Sequence, residues 1–131
     1  PEPAPRPKVA AAGPSVADLM RAGGRAAGRG DFTAAVTSYE AAMDADPKNF
    51  EAAIQLGWAY VELARNGDAI AIFGKAARMR PGAAEPHYGL GLAYQEAGQK
   101  ASARAEYEKF IELEPDGRDT NEVKALLRRM E

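Results

Sequence analysis

Residues 50–83 read FEAAIQLGWAYVELARNGDAIAIFGKAARMRPGA, and this stretch decides the fold. From Phe50 to Ala64 the apolar residues Ile54, Leu56, Trp58, Tyr60, Val61 and Leu63 cover most of a helix's circumference. That suits a helix packed on several sides. A break is expected at Asn66-Gly67. From Asp68 onward Ala69, Ile72, Phe73, Ala76 and Ala77 recur at spacings of three and four, which predicts a second, amphipathic helix. Met79 precedes Arg80-Pro81-Gly82, which stops it.

The same unit recurs on both sides. Pro47, Pro81 and Pro115 stand 34 residues apart each time. In that register Gly23, Gly57 and Gly91 form one column and Ala35, Ala69 and Ala103 another. Tyr39, Phe73 and Tyr107 are aromatic throughout, and Ala22, Leu56 and Leu90 are apolar. Gly30-Asp31 marks the turn of the first unit and Gly98 that of the third. Asp31 is placed to cap the following helix, and Ser15 with Asp18 forms a capping box for the first. The glycine and alanine columns allow close helix contact, and the aromatic column fills the space between hairpins. One hairpin cannot bury both its sides, so the units must stack.

A 34-residue helix-turn-helix unit carrying Leu56-Gly57, Tyr60, Ala69, Phe73, Ala76 and Pro81 resembles the tetratricopeptide repeat. The resemblance implies an all-α, right-handed superhelix of about seven helices. The expected divisions are a Pro-rich linker over 1–14, repeats over 15–49, 50–83 and 84–117, and a capping helix over 118–131. The sequence departs from the pattern at Ala26, where its neighbours carry Tyr60 and Tyr94, and at Phe110, where Ala42 and Ala76 stand earlier. Ala53 and His87 replace the large residue that repeat one has at Leu19.

The resemblance also implies that the first helices line a concave groove for a partner segment. Two columns fall there: Met20, Ile54 and Tyr88, then Gly24, Trp58 and Leu92. Flanking columns carry Ala27, Val61 and Gln95, then Gly28, Glu62 and Glu96. Family members that grip the acidic tails of heat-shock chaperones place lysine, arginine and asparagine in such columns. None of the six main-column residues here is charged or an amide, so no carboxylate clamp is expected. The groove should prefer an apolar or amphipathic protein segment with basic flanks. Trp58 is the only tryptophan, and its counterparts Gly24 and Leu92 show that the column demands no large core residue. It reads either as a binding anchor or as a side chain packed on Tyr88 or on the Pro-rich tail. Gly24 and Gly28 weaken the first helix, leaving either a frayed element or a flat floor for a ligand backbone.

Both ends look like caps. Arg21, Arg25 and Arg29 share one stripe of the first helix, read as a solvated end of the array, with a basic surface for an acidic partner as the alternative. Val123, Leu126, Leu127 and Met130 give the last helix one apolar face, with Asp119 or Thr120 as its cap. Residues 1–14 carry five prolines and read as a spacer from a larger protein.

Composition narrows the function. The chain has 131 residues, a net charge of −2, no cysteine and one histidine. That argues against a nucleic-acid binder, a zinc site and a thiol nucleophile. No apolar run is long enough to span a membrane. His87 reads as packing, and Glu106, Glu108, Glu112 and Glu114 as a solvated face. No cofactor or metal is expected. The reading is a non-catalytic interaction module of a larger scaffold, bacterial by its Ala, Gly and Arg richness. The alternative is a structural domain that self-associates or folds its own Pro-rich segment into the groove. A cysteine-free chain suits cytoplasm and periplasm equally.

Overall fold

The first three helices each start where a side chain satisfies a free amide. In the computed structural model, which describes residues 13–131, the Ser15 hydroxyl accepts from the Asp18 amide at 3.0 Å. The Asp18 carboxylate accepts from the Ser15 amide at 3.2 Å, closing a capping box. Asp31 and Asn49 accept from the amides of Ala34 and Ala52 in the same way. Seven helices follow in order: α1 (Val16–Gly28), α2 (Phe32–Ala45), α3 (Phe50–Glu62), α4 (Asn66–Met79), α5 (Glu85–Glu96), α6 (Lys100–Leu113) and α7 (Thr120–Arg129). No strand occurs among the described residues. Successive helices pack on one another, and α3 also touches α5. The hairpins α1–α2, α3–α4 and α5–α6 therefore stack as an all-α solenoid with their first helices side by side.

The period of 34 is written into the backbone as well as the side chains. Asp46, Arg80 and Glu114 end α2, α4 and α6 in extended-leaning geometry (φ −143°, −135° and −132°). Each stands before a proline, which excludes the helical conformation there. Within the hairpins Gly30, Ala64 and Gly98 are left-handed, at φ 77°, 57° and 78°. The following amides of Asp31, Arg65 and Gln99 each donate back to Ala26, Tyr60 and Tyr94 at 2.9 Å, a repeated Schellman closure. This corrects the expected break at Asn66-Gly67. Those residues begin α4, and the turn lies two residues earlier, because the hydrogen-bond closure keeps the 34-residue register even where it must use alanine.

The hairpins are locked by rings pressed onto glycines. A Cβ on Gly23 would lie 2.5 Å from the Tyr39 ring, one on Gly57 2.5 Å from Phe73, and one on Gly91 2.3 Å from Tyr107. Phe73 is held from a second side, since a Cβ on Gly89 of the next hairpin would meet it at 2.4 Å. Ala35, Ala69, Ala103, Phe73 and Tyr107 are all 0% exposed. At the end of the array α7 turns Val123 and Met130 inward, with Leu126 and Leu127 half-buried. Asp119 occupies its N-cap without a side-chain bond, and the Thr120 hydroxyl donates to the Glu114 carbonyl instead. No helix among the described residues is long and apolar enough to cross a membrane.

Two glycines of similar helical position should respond oppositely to alanine. Gly57→Ala forces its ring contact apart and is expected to cost about 2 kcal/mol, overpacking outweighing helix propensity. Gly24→Ala meets nothing closer than the Tyr39 hydroxyl at 3.9 Å and should gain about 0.5–1 kcal/mol. Urea midpoints measure both, and equal shifts would refute the account of the glycine column. Ala64→Gly relieves the one non-glycine left-handed residue described and should add about 0.5–1 kcal/mol; a lower midpoint would contradict this.

Alkali should separate the tyrosines. Burial raises the phenol pKa of Tyr39 and, further, of Tyr107; burial and the neighbouring Glu40 push Tyr60 to about 12. A proton held more tightly when folded stabilises the fold fully below the unfolded tyrosine pKa of about 10 and ceases to as pH climbs towards 12. These phenols should ionise together with loss of helical circular dichroism above pH 10. Free ionisation near pH 10 with the helix signal intact would show that they are not sequestered.

Candidate functional site

The side-by-side helices α3 and α5 bring part of the predicted set together: Trp58 and Tyr88 share one depression, and Val61, Glu62, Leu92 and Glu96 another. Ile54 is 1% exposed and does not line the groove. It sits in the central hairpin, covered from both sides, where a short branched side chain stays below the surface. Met20 lies on the outermost helix and is half-buried; Tyr88, in the same column, is longer and reaches the surface. Gly24 is exposed on α1, and a Cβ there would still leave room beside Tyr39. Trp58, Val61, Tyr88 and Leu92 are half-buried, and Glu62, Gln95 and Glu96 are exposed. Gln95 also has an internal task, since its amide oxygen accepts from the buried Tyr107 hydroxyl at 2.6 Å.

Two depressions follow one another along α3 and α5. The first, about 380 Å³, has Trp58, Tyr88 and Phe110 among its walls. The second, about 190 Å³, lies a helical turn further on and takes in Val61, Glu62, Leu92 and Glu96. Trp58 stands edge-on to Phe73 at 5.1 Å and to Tyr88 at 5.9 Å. Tyr88 continues the chain of rings to Phe110 at 5.4 Å. Such edge-to-face contacts hold the rings in one orientation, so the aromatic wall is built before any ligand arrives. The indole N–H of Trp58 donates to a Glu85 carboxylate oxygen at 3.0 Å. Trp58 therefore packs on Tyr88, while part of it stays open.

Several residues at this wall escaped the sequence reading. Glu85, Glu114, Arg118 and Asp119 come from helix ends and the loop before α7 rather than from the groove columns. Two signals pointed to them. Phe110 enlarges a column that holds alanine in the first two repeats, and Glu51, Glu85 and Asp119 stand 34 residues apart. Acidic side chains at helix N-termini are favoured by the helix dipole, which accounts for the acidic column. The tyrosine hydroxyl records the local field. The Tyr88 pKa is pushed up to about 12, first by burial and then by the Glu122 and Asp119 carboxylates.

Of the remaining candidates, His87 takes part in packing. It is 13% exposed, and its Nδ1 lies 2.7 Å from a Glu106 oxygen, joining α5 to α6. Of the glutamate run, Glu108, Glu112 and Glu114 are exposed, while Glu106 is half-buried by this contact. Arg21, Arg25 and Arg29 are all exposed, and Arg21 pairs with Asp18 one turn away. The Pro-rich segment over 1–12, with any clasp on Trp58, lies outside the described residues.

Known proteins share this architecture. A co-chaperone of Cryptococcus neoformans, described as a tetratricopeptide repeat and J domain-containing protein, DNJ1, is 25% identical over 114 residues. The match takes 87% of this chain and 22% of that protein, so the chain spans under a quarter of its relative's length. Among solved structures, the first TPR of Spaghetti (RPAP3), bound to the HSP90 peptide SRMEEVD, superposes with a TM-score of 0.79 at 24% identity, covering 88% of this chain and 92% of that one. The TPR2B domain of yeast Sti1, in its pHsp70 complex, gives 0.82 at 18% identity, with 88% and 94% covered. At these identities the likeness is one of fold. Tetratricopeptide-repeat profiles match residues 26–72 and 54–118, and the chain belongs to the tetratricopeptide-repeat family.

Proposed function

We propose that this chain is a non-catalytic protein-interaction module that holds an extended partner segment along α3 and α5. The observation that carries this reading is the preformed, half-exposed aromatic wall of Trp58 and Tyr88 on an open face. An apolar surface of this kind on a repeat array marks an interface. Met20 and Gly24 extend the groove towards α1, while Val61 and Leu92 continue it towards the far ends of α3 and α5. Glu62 and Glu96 line its flank and favour basic residues beside an apolar centre.

The solved neighbours include a domain bound to the acidic peptide SRMEEVD. The groove here carries carboxylates, and no base stands in its two main columns. We therefore assign it a partner of opposite charge character. The host is proposed to be a larger scaffold or assembly protein. Its bacterial origin rests on composition alone, and the fungal relative lends it no support.

Capture from cell extract by the parent chain and by a Trp58→Ala variant tests the groove. The variant should weaken retention of a direct partner by about 2 kcal/mol, some thirtyfold, as expected for a central aromatic anchor. Unchanged circular dichroism is the folding control. Equal retention by both chains would move the contact off the groove, with the exposed Arg21, Arg25 and Arg29 stripe next in line.

A further inference from the structure

The depression beside Trp58 has features that an apolar peptide does not need. Three carboxylates from three separate elements meet at it: Glu85 at the start of α5, Glu114 at the end of α6, and Asp119 at the start of α7. One guanidinium, Arg118, shares the rim. Among the described residues none of the three carboxylates forms an ion pair. Helix-end electrostatics explain why acids stand at Glu85 and Asp119, but not why one of them is bonded to an indole. In the neighbouring repeats the Trp58 column holds Gly24 and Leu92, neither of which has a side-chain donor. In that column, the position between repeats two and three joins an aromatic ring to an oriented acid.

The Trp58 and Tyr88 rings lie at 90° to each other and wall the depression on two sides. An aromatic face attracts a cation, and a carboxylate at the rim adds a charge-assisted hydrogen bond. An apolar side chain seated there would strip water from unpaired carboxylates with nothing in return, and an anion would be repelled. Arginine fits better than lysine, because its planar guanidinium both stacks on a ring and forks across a carboxylate.

We propose that this pocket receives an arginine side chain of the partner segment, stacked against Trp58 and Tyr88 and bonded to Glu85 and Glu114. This rests on the reading of the groove as a segment-binding surface and specifies what that surface selects. The second depression, at Val61 and Leu92, lies one helical turn along, about 5.4 Å. Two residues of an extended segment span about 6.6 Å, so an apolar residue two positions from the arginine occupies it. Arg118 is the arginine's internal competitor at the rim.

Panning the whole chain against displayed random twelve-residue peptides tests this, with recovered peptides titrated by Trp58 fluorescence. The expected outcome is enrichment of an arginine with an apolar residue two positions away. Replacing that arginine by citrulline, its neutral isostere, should weaken binding about tenfold. Glu85→Gln, which keeps an oxygen for the indole N–H, and Glu114→Gln should each weaken it about threefold, and added salt should weaken it further. Arg118→Ala should tighten it, a gain that a merely structural role for Arg118 would not produce. Enriched peptides without a fixed base, or full affinity of the citrulline form, would overturn the pocket assignment and leave the groove standing. Enrichment of lysine in place of arginine would overturn the choice of guanidinium. No enrichment at all would overturn the groove reading and this inference with it.

Discussion

An aromatic ring seated on a helix that has no side chain beneath it is the contact on which this molecule depends. Tyr39, Phe73 and Tyr107 press on Gly23, Gly57 and Gly91 so closely that a Cβ would fall at 2.5 Å or less from a ring carbon. That contact fixes how near the two helices of a hairpin approach. It also leaves the opposite side of each first helix facing outward. Phe73 carries the constraint into the next hairpin through Gly89, so spacing within a repeat and spacing between repeats are set by one side chain. The abundance of alanine follows from the same geometry: Ala35, Ala69 and Ala103 are fully buried where the helices lie closest, and a larger residue would push them apart.

Once the inner contacts are fixed, the outer face is free to vary, and there the repeats differ. The Trp58 column runs glycine, tryptophan, leucine, and the Phe110 column runs alanine, alanine, phenylalanine. Both enlargements border the depression between repeats two and three. They build a continuous set of edge-on rings from Phe73 through Trp58 and Tyr88 to Phe110. The hidden end of this set is the structural ring of repeat two, and its exposed members face the groove. The proposed binding face and the core thus share one aromatic stack.

Most of the fold was legible because it is periodic. The three prolines, the glycine column, the Ser15 capping box and the apolar face of the last helix all act locally or at fixed offsets, and the structure uses each as read. The failures are equally physical. The turn of the second hairpin was placed at Asn66-Gly67 because glycine marks turns, yet the closure falls on Ala64 at φ 57°. The backbone register prevailed over residue preference. Ile54 was assigned to the groove because its column neighbours Met20 and Tyr88 are surface residues. Its burial follows from a helix packed on several sides, which the apolar circumference of α3 implies and the column comparison does not convey. The acids at the pocket were missed because the groove columns were sought on helix faces, whereas Glu85, Glu114 and Asp119 stand at helix ends.

Those helix ends give the site its charge. A carboxylate at the start of a helix is stabilised by the dipole whether or not a ligand is near, so Glu51, Glu85 and Asp119 recur with the repeat at no cost to the fold. Stacking the hairpins then carries two of these acids to the same depression, joined by Glu114 from the preceding helix end. The negative potential there is a by-product of repetition, and Trp58 borders it, donating its indole N–H to Glu85 and exposing part of its ring beside it. The Tyr88 hydroxyl carries the mark of nearby acids, its pKa raised to about 12 first by burial and then by Glu122 and Asp119. An acidic ligand would call for bases in the groove columns. Here the same scaffold, through one tryptophan and the acids its helix starts already favour, presents the opposite sign.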